Sequence, residues 1–156
     1  MNIFIEKHQQ LIKELLEANV DFILIRGYAV IYYGYRRTTG DMDLWLKPSN
    51  ENKTKLIPVL RHQGFQEEGI KYVESFDFTK HNAFHFWEEP ERVDCLTRIS
   101  GIEYDEADKQ KEIADIEGLK VPFINFKHLI ASKITTGRSK DKADIDELQR
   151  IQKYRK

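Results

Sequence analysis

The stretch RTTGDMDLWL, residues 37–46, constrains this sequence most, because it places two aspartates in a run that otherwise has the pattern of a buried strand. In a strand, residues i and i+2 point to the same face. Met42 and Leu44 therefore face a core. Asp41 and Asp43 then stand side by side on the opposite face, with Cα atoms ~7 Å apart. The stretch predicts a strand that carries a pair of carboxylates.

The composition is that of an ordinary globular domain. The chain has 156 residues, of which 40% are apolar and 33% charged, and this length allows a core that folds without metals or disulfides. No run approaches the roughly 18 apolar residues of a membrane span, and the first residues lack an export signal. Cys95 is the only cysteine, which favours a reducing compartment. We expect one domain over residues 1–156, in the cytoplasm, with no membrane partner.

Helical and strand patterns interleave irregularly along the chain. Apolar residues at helical spacing predict helices at 3–18, 27–35, 56–64, 125–136 and 140–154. Short apolar or alternating runs predict strands at 20–27, 41–47, 82–88 and 92–99, and one or two edge strands within 112–124. The polar segment 48–54 is expected to be a loop, and Pro58 argues against a continuous helix after it. These patterns predict an α+β domain with a single mixed sheet of about four to six strands flanked by helices.

The aspartate pair has a chemical interpretation. Two carboxylates at this distance repel one another unless a cation lies between them, and oxygen-only ligands favour a hard ion such as Mg²⁺ or Mn²⁺. In the predicted strand 92–99, Cys95 and Ile99 share the apolar face, whereas Asp94 lies on the other face. An unpaired carboxylate there would be costly, so Asp94 is a candidate third ligand.

Structural roles stay open for all three aspartates. Asp41 and Asp43 could end a strand in solvent, or Asp41 could cap a turn. Asp94 could form a salt bridge with Arg92 or Arg98, which lie on its own face of the strand.

Residues 24–46, LIRGYAVIYYGYRRTTGDMDLWL, resemble the signature of the nucleotidyltransferase superfamily related to DNA polymerase beta. In that family a strand leads to a glycine followed by glycine or serine, then to a helix, and later to a strand with an Asp-x-Asp or Asp-x-Glu pair. Gly27 matches the first glycine, and 12 residues separate Tyr28 from Asp41. Asp41 and Asp43 match the carboxylate pair.

The resemblance continues beyond this signature and covers most of residues 20–150. Arg37 and Thr39 match an Arg-x-Thr-x-Asp stretch of minimal and abortive-infection-type members. Asp94 falls where the family carries its third carboxylate. The stretch LIASKITTGRSKDKADIDEL, residues 129–148, resembles the closing helices of the same group.

The resemblance implies a fold, a reaction and a site. It implies the nucleotidyltransferase fold and the transfer of a nucleoside monophosphate from a nucleoside triphosphate to a hydroxyl of a protein, an RNA end or a small molecule. Asp41, Asp43 and Asp94 would be the catalytic residues and would hold Mg²⁺ or Mn²⁺. The nucleotide-binding candidates match family positions or carry positive charge: Gly27, Tyr28, Arg37, Thr39, Lys133, Arg138 and Lys140.

Tyr28 departs from the family pattern, which has a small residue after the first glycine. Its phenol could block the triphosphate, stack on a base or bond a phosphate. Two alternatives to the transferase therefore stay open: a catalytically silent relative that binds a nucleotide or a partner protein, and a metal-dependent nuclease. Abortive-infection-type relatives also imply a toxin–antitoxin or phage-defence setting, with a homodimer or a partner protein.

Other conspicuous residues suggest structural roles. His81 and His85 have the spacing of zinc ligands on a helix, but the aromatic residues around them predict a strand. Cys95 alternates into the core, and the tyrosines after Gly27 suit helix packing. Residues 127–156 contain nine basic and four acidic side chains, a balance that solvated helix faces also show.

Overall fold

The computed structural model describes residues 2–35, 40–136 and 139–154, and it confirms the predicted α+β class. The helices are α1 Glu6–Glu17, α2 Arg26–Tyr32, α3 Asn50–His62, α4 Glu67–Glu74, α5 Tyr104–Gln110, α6 Phe126–Thr136 and α7 Ser139–Tyr154. The strands are β1 Phe22–Ile25, β2 Met42–Leu46, β3 Ala83–Phe86, β4 Val93–Leu96, β5 Glu112–Ile116 and β6 Leu119–Phe123.

The six strands form one mixed sheet in the order β3-β4-β2-β1-β6-β5. β2 pairs in parallel with β4 and antiparallel with β1. β6 is parallel to β1, and the outer strands β3 and β5 pair antiparallel with β4 and β6. The strand predicted to carry the carboxylates therefore lies in the interior of the sheet and is buried along its whole length.

The apolar face of β2 forms the main core, as its alternation predicts. Met42 and Leu44 are buried, and Leu44 lies opposite Leu24 of β1 and Cys95 of β4. Cys95 is completely buried, which confirms its predicted place in the core. Helices α1 and α3 contribute buried leucines to the same cluster.

The opposite face of β2 carries Asp43 and Trp45. The Trp45 ring packs edge-on against Tyr104 of α5, with ring centroids 5.2 Å apart. Its indole N–H donates a hydrogen bond to the Thr97 carbonyl at 3.2 Å. Helix α5 therefore covers this face of the sheet two residues beyond Asp43.

The predicted loop over residues 48–54 is wrong beyond Ser49. The Ser49 hydroxyl accepts a hydrogen bond from the backbone N–H of Asn52 at 3.1 Å and caps α3, which begins at Asn50. Pro58 lies inside this helix, which continues to His62.

Other boundaries also differ from the prediction. β4 ends at Leu96, and Ile99 lies beyond it in an isolated bridge with Ile102. The hairpin β5–β6 places β6 in the interior of the sheet, with Pro122 next to the end of the strand, so only β5 is the predicted edge. Helices α4 and α5 were not predicted, since eight and seven residues are too few for a clear period. In the described part of the chain, no helix has the length and apolar character of a membrane span.

Candidate active site

The register of the central strands brings two of the predicted aspartates together. Asp43 of β2 lies directly opposite Asp94 of the parallel strand β4. Neighbouring strands are about 4.8 Å apart, and residues opposite one another share a face. On its other side, Asp43 lies opposite Ile25, the last residue of β1. The sheet thus places the Asp43 and Asp94 side chains next to one another at the end of β1.

Asp43 is an ionisable group in an unfavourable position. It is 7% exposed, and burial is the main cause that raises its pKa from 3.8 to about 6. The charges of Asp94 and Asp41 act in the same direction, whereas the Arg26 guanidinium lowers this pKa. Arg26 Nη1 lies 3.5 Å from Asp43 Oδ1. Asp43 therefore has less positive charge around it than its burial requires.

Asp94 is held by Arg92, two residues earlier on the chain. Arg92 Nε and Nη2 donate to Asp94 Oδ1 at 3.2 and 3.0 Å, and Nε lies 3.3 Å from Oδ2. Arg92 is one of the two salt-bridge partners that the sequence left open for Asp94. The other, Arg98, is exposed and donates instead to the Thr79 carbonyl.

A fourth carboxyl group lies beside Asp41. A hydrogen bond with Asp41 raises the pKa of Glu89, because two carboxyl groups can share a hydrogen bond only when one of them carries a proton. Gly40 makes room for this contact, since a Cβ atom there would lie 2.7 Å from Glu89 Oε2. Asp41 is half-buried and immediately precedes β2.

These carboxyl groups suit Mg²⁺ or Mn²⁺ in chemistry. The donors are oxygen only, as hard divalent ions prefer. Burial is the main cause that raises the pKa of Asp43, and the hydrogen bond with Asp41 is the main cause for Glu89. Neighbouring carboxylates add to both shifts, and a bound cation would oppose them. Among the residues that the structure describes, however, no three such groups already surround a common point. Arg26 and Arg92, rather than a preformed cage, lie against Asp43 and Asp94.

The junction between β1 and α2 has a left-handed residue. That residue is Arg26, with a φ of +56°, a conformation that favours glycine. Gly27 is buried in the first turn of α2. The left-handed position, which favours glycine, is therefore occupied by Arg26, one residue before the glycine that the sequence matched to the family signature.

Tyr28 is part of the core. It is 2% exposed, and its ring lies 4.8 Å from that of Phe4. His8 Nε2 lies 2.9 Å from the Glu91 carbonyl, so this nitrogen carries the proton, and His8 Nδ1 accepts from the Tyr28 hydroxyl at 2.8 Å. Burial lowers the pKa of His8, which agrees with a neutral ring. The structure does not bring Tyr28 to the carboxylates; Tyr28 joins α2 to α1 and, through His8, to the segment that carries Glu91.

A cleft of about 320 Å³ is lined by sheet neighbours of Asp43 and Asp94, but by neither aspartate. Ile25, the register partner of Asp43, lines it, as does Arg26. Leu96 lines it from β4, two residues beyond Asp94 and on the same face. The rest of the lining is mixed in character: His81, Arg98, Ile99, Ser100, Leu129, Ser132 and Lys133.

Of the predicted cationic residues, Lys133 reaches this cleft. It lies in α6, is 6% exposed, and its Nζ is 3.0 Å from Asp144 Oδ2 of α7. Arg37, Thr39 and Arg138 lie outside the described residues. Lys140 belongs to the first turn of α7, but its side chain also lies outside the description.

The remaining candidates have structural places. His85 is on β3, as predicted, whereas His81 precedes the strand and lines the cleft. Tyr33 is buried, and Tyr32 stacks on Phe123 with ring centroids 4.3 Å apart, which fits helix packing.

Sequence reasoning missed two residues of the site, Arg26 and Glu89. Arg26 stands immediately before the glycine that was identified, but the left-handed backbone that gives it its place has no sequence period. Glu89 lies in the acidic segment between β3 and β4, where only the folded turn brings it to Asp41.

Comparison with known proteins identifies the family. Residues 5–156 match the family described as "Nucleotidyl transferase of unknown function (DUF2204)". The chain belongs to this nucleotidyltransferase family. The predicted superfamily and enzyme class are thereby confirmed, whereas the abortive-infection-type subclass is not. No curated protein is significantly similar in sequence.

Solved structures share the fold of this nucleotidyltransferase. A lincosamide antibiotic adenylyltransferase, LnuA, with lincomycin bound superposes with a TM-score of 0.57 at 16% identity, over 97% of this chain and 99% of that one. A putative nucleotidyltransferase from Thermotoga maritima gives 0.59 at 9% identity, over 92% and 90%. An antigenic nucleotidyltransferase-like protein from Paracoccidioides brasiliensis gives 0.54 at 15% identity, over 93% and 74%. At these identities the likeness confirms the nucleotidyltransferase fold.

Proposed function

We propose that this nucleotidyltransferase moves a nucleoside monophosphate from a nucleoside triphosphate to a hydroxyl group of a small molecule, in a reaction that requires Mg²⁺ or Mn²⁺. The observation that carries the proposal is the register of Asp43 and Asp94 on paired strands, beside a cleft. The acceptor hydroxyl attacks the α-phosphorus, and pyrophosphate leaves.

The three aspartates would hold the divalent ion, which when bound would neutralise triphosphate charge and favour loss of the acceptor's hydroxyl proton. The chain itself fixes their positions. Asp43 is held by an interior strand that is buried along its whole length, and Asp94 by the neighbouring strand in register. Asp41 is oriented by its hydrogen bond with Glu89. Such fixed carboxylates lower the reorganisation that the reaction requires.

The cleft suits one small substrate, the nucleotide, and a structural neighbour supports a small acceptor. A volume of about 320 Å³ suits a nucleotide or a molecule of similar size rather than a protein surface. Its apolar residues Ile25, Leu96 and Leu129 could pack against a ring, and its serines could orient hydroxyls. The adenylyltransferase that superposes over nearly its whole length acts on a lincosamide antibiotic, a small hydroxylated molecule, which supports the same class of acceptor here.

Nucleotide binding would use residues on both sides of the carboxylates. Gly27 follows the β1–α2 junction, and Lys133 lines the cleft from α6. Arg37, Thr39 and Arg138 are proposed from the family resemblance alone, as are Lys140, a toxin–antitoxin or phage-defence setting, and a homodimer or protein partner. The single buried cysteine agrees with a reducing compartment such as the cytoplasm.

Labelled nucleotide transfer tests the proposal. The full chain is incubated with each of the four α-labelled ribonucleoside triphosphates, Mg²⁺ or Mn²⁺, and a panel of acceptors that includes lincosamides, other hydroxylated small molecules, RNA and protein. We expect label on a small molecule, and we expect Asp43→Asn and Asp94→Asn to lower transfer at least about 100-fold. Asp115→Asn, at an exposed site paired with Lys120, is the control and should leave transfer unchanged.

A second candidate function is favoured by the salt bridges of Arg26 with Asp43 and of Arg92 with Asp94, because they place positive charge on both carboxylates without a metal. It is a relative that binds nucleotide without turnover. Thermal stabilisation by nucleotide, together with no label on any acceptor, would favour this silent protein over the transferase. Label on RNA or protein instead would retain the transferase and refute the small acceptor.

A further inference from the structure

Arg26 is held in a costly backbone conformation. Its φ of +56° places it in the left-handed region, which costs a non-glycine residue about 1 kcal/mol. Glycine would avoid that cost at the same junction of β1 and α2. A strained residue that persists beside a candidate site indicates a use for its side chain.

The ion pair between Arg26 and Asp43 is loose. The two charged atoms are 3.5 Å apart, and the Arg26 side chain is 49% exposed. Half-exposed pairs of this kind are weak and easily exchanged. Asp43, by contrast, exposes only 10% of its side chain and lies opposite another carboxylate, so it needs positive charge from some source. The weakly held Arg26 guanidinium therefore lies against Asp43, a buried carboxylate that a cation would stabilise.

The guanidinium of Arg26 also borders the cleft, where a ligand could reach it. Arg26 lines the cleft together with Arg98 and Lys133, and none of the described residues that line the cleft is acidic. Guanidinium groups bind phosphate oxygens through two parallel N–H donors. The chemistry of this wall suits a polyphosphate.

We propose that Arg26 exchanges partners when substrate binds. In the nucleotide-free protein its guanidinium neutralises Asp43 and opposes binding of a divalent cation there. When the metal–nucleoside triphosphate complex enters the cleft, the guanidinium moves to the phosphates and Asp43 becomes available to the cation. This inference rests on the proposed function and adds to it an order of events: the cation binds together with the nucleotide rather than before it.

Binding measurements on the full chain test this exchange. Mn²⁺ affinity is measured by electron paramagnetic resonance without nucleotide, and affinity for a non-hydrolysable ATP analogue is measured by calorimetry with Mg²⁺. For Arg26→Gly we expect Mn²⁺ to bind at least about fivefold more tightly and the analogue at least about fivefold more weakly. Glycine adopts the required φ freely, so the variant should fold, as circular dichroism will check. Arg26→Lys keeps the charge and should shift both affinities less.

Arg61→Ala is the matched control, because Arg61 pairs with Glu67 on the surface of α3. It removes the same charge and should change neither affinity. Mn²⁺ affinity within twofold of the native protein for Arg26→Gly, or unchanged analogue affinity, would overturn the role of Arg26 while leaving the proposed function intact. Absence of both metal and nucleotide binding in the native chain and the variant would overturn both.

Discussion

Replacing Asp43 with asparagine should stabilise the metal-free protein at neutral pH even though it removes a proposed catalytic group. Asp43 is nearly buried, and its pKa is raised from 3.8 to about 6. That displacement corresponds to about 3 kcal/mol of folding free energy lost when the group ionises. Asparagine keeps the shape and the oxygen that accepts from Arg26 but carries no charge. Allowing for an amide NH₂ that needs an acceptor, we expect a gain of about 2 kcal/mol.

The pH dependence of this gain follows from the sign of the shift. The folded-state pKa of Asp43 lies above its unfolded value, so between pH 3.8 and about 6 the folded protein binds this proton more tightly. The stability from this group is complete below pH 3.8 and is lost as the pH rises through about 6. The difference between Asp43→Asn and the native protein should therefore be small at pH 4 and reach its full size at pH 7.

Urea unfolding in EDTA at pH 4, 5, 6 and 7 measures the difference directly. Asp115→Asn is the matched control: a hydrogen bond with Lys120 lowers the pKa of Asp115, so this variant should be less stable than the native protein at pH 7 and lose the deficit as the pH falls. An Asp43→Asn protein that is no more stable at pH 7, or whose advantage does not change with pH, would refute the reasoning.

Three further substitutions test other parts of the fold. Tyr28→Phe should lose about 1 kcal/mol of unfolding free energy, because it removes the bond to His8, and should leave nucleotide affinity unchanged; a selective loss of that affinity would return Tyr28 to the site. Glu117→Asn, at a φ of +52° in the β5–β6 turn, should raise the unfolding free energy by about 0.5 kcal/mol in urea, and a lower value would contradict the turn geometry. Lys133→Met should lower the free energy of unfolding in urea by about 3 kcal/mol, because buried Asp144 loses this cation. The double variant Lys133→Met with Asp144→Leu should recover most of that loss. A double variant that recovers none of it would show that the loss does not come from this ion pair.

The sequence predicted the parts of the site that depend on local periodicity. Alternation along β2 separated Met42 and Leu44 from Asp43, and the same rule placed Asp94 on the polar face of its strand. It also named Arg92 and Arg98 as possible partners of Asp94, because residues two or four apart share a face. The register that puts Asp43 opposite Asp94 could not be predicted, since it joins strands that are distant in the sequence and depends on how the whole sheet assembles.

Features that no sequence periodicity signals were missed for a related reason. Glu89 meets Asp41 only through a turn, and the cleft forms only when α6 packs beside β1 and β4. The left-handed residue at the β1–α2 junction could have been either neighbour of the glycine. The pattern matched Gly27 to the first small residue of the family signature and drew attention to Tyr28, whereas the residue with the unusual backbone is Arg26.

The positions of Arg26 and Tyr28 bear on catalysis in different ways. Successive residues of a helix point about 100° apart, so Tyr28 turns into the core while Arg26 stays at the surface beside Asp43. A tyrosine ring in the path of the phosphates would block them permanently, because no competing partner would draw the ring away. A guanidinium paired with a carboxylate can be displaced by a divalent cation and can then bind the phosphates that arrive with it. Arg26 at this junction is therefore compatible with an active nucleotidyltransferase in which metal and nucleotide bind in the proposed order.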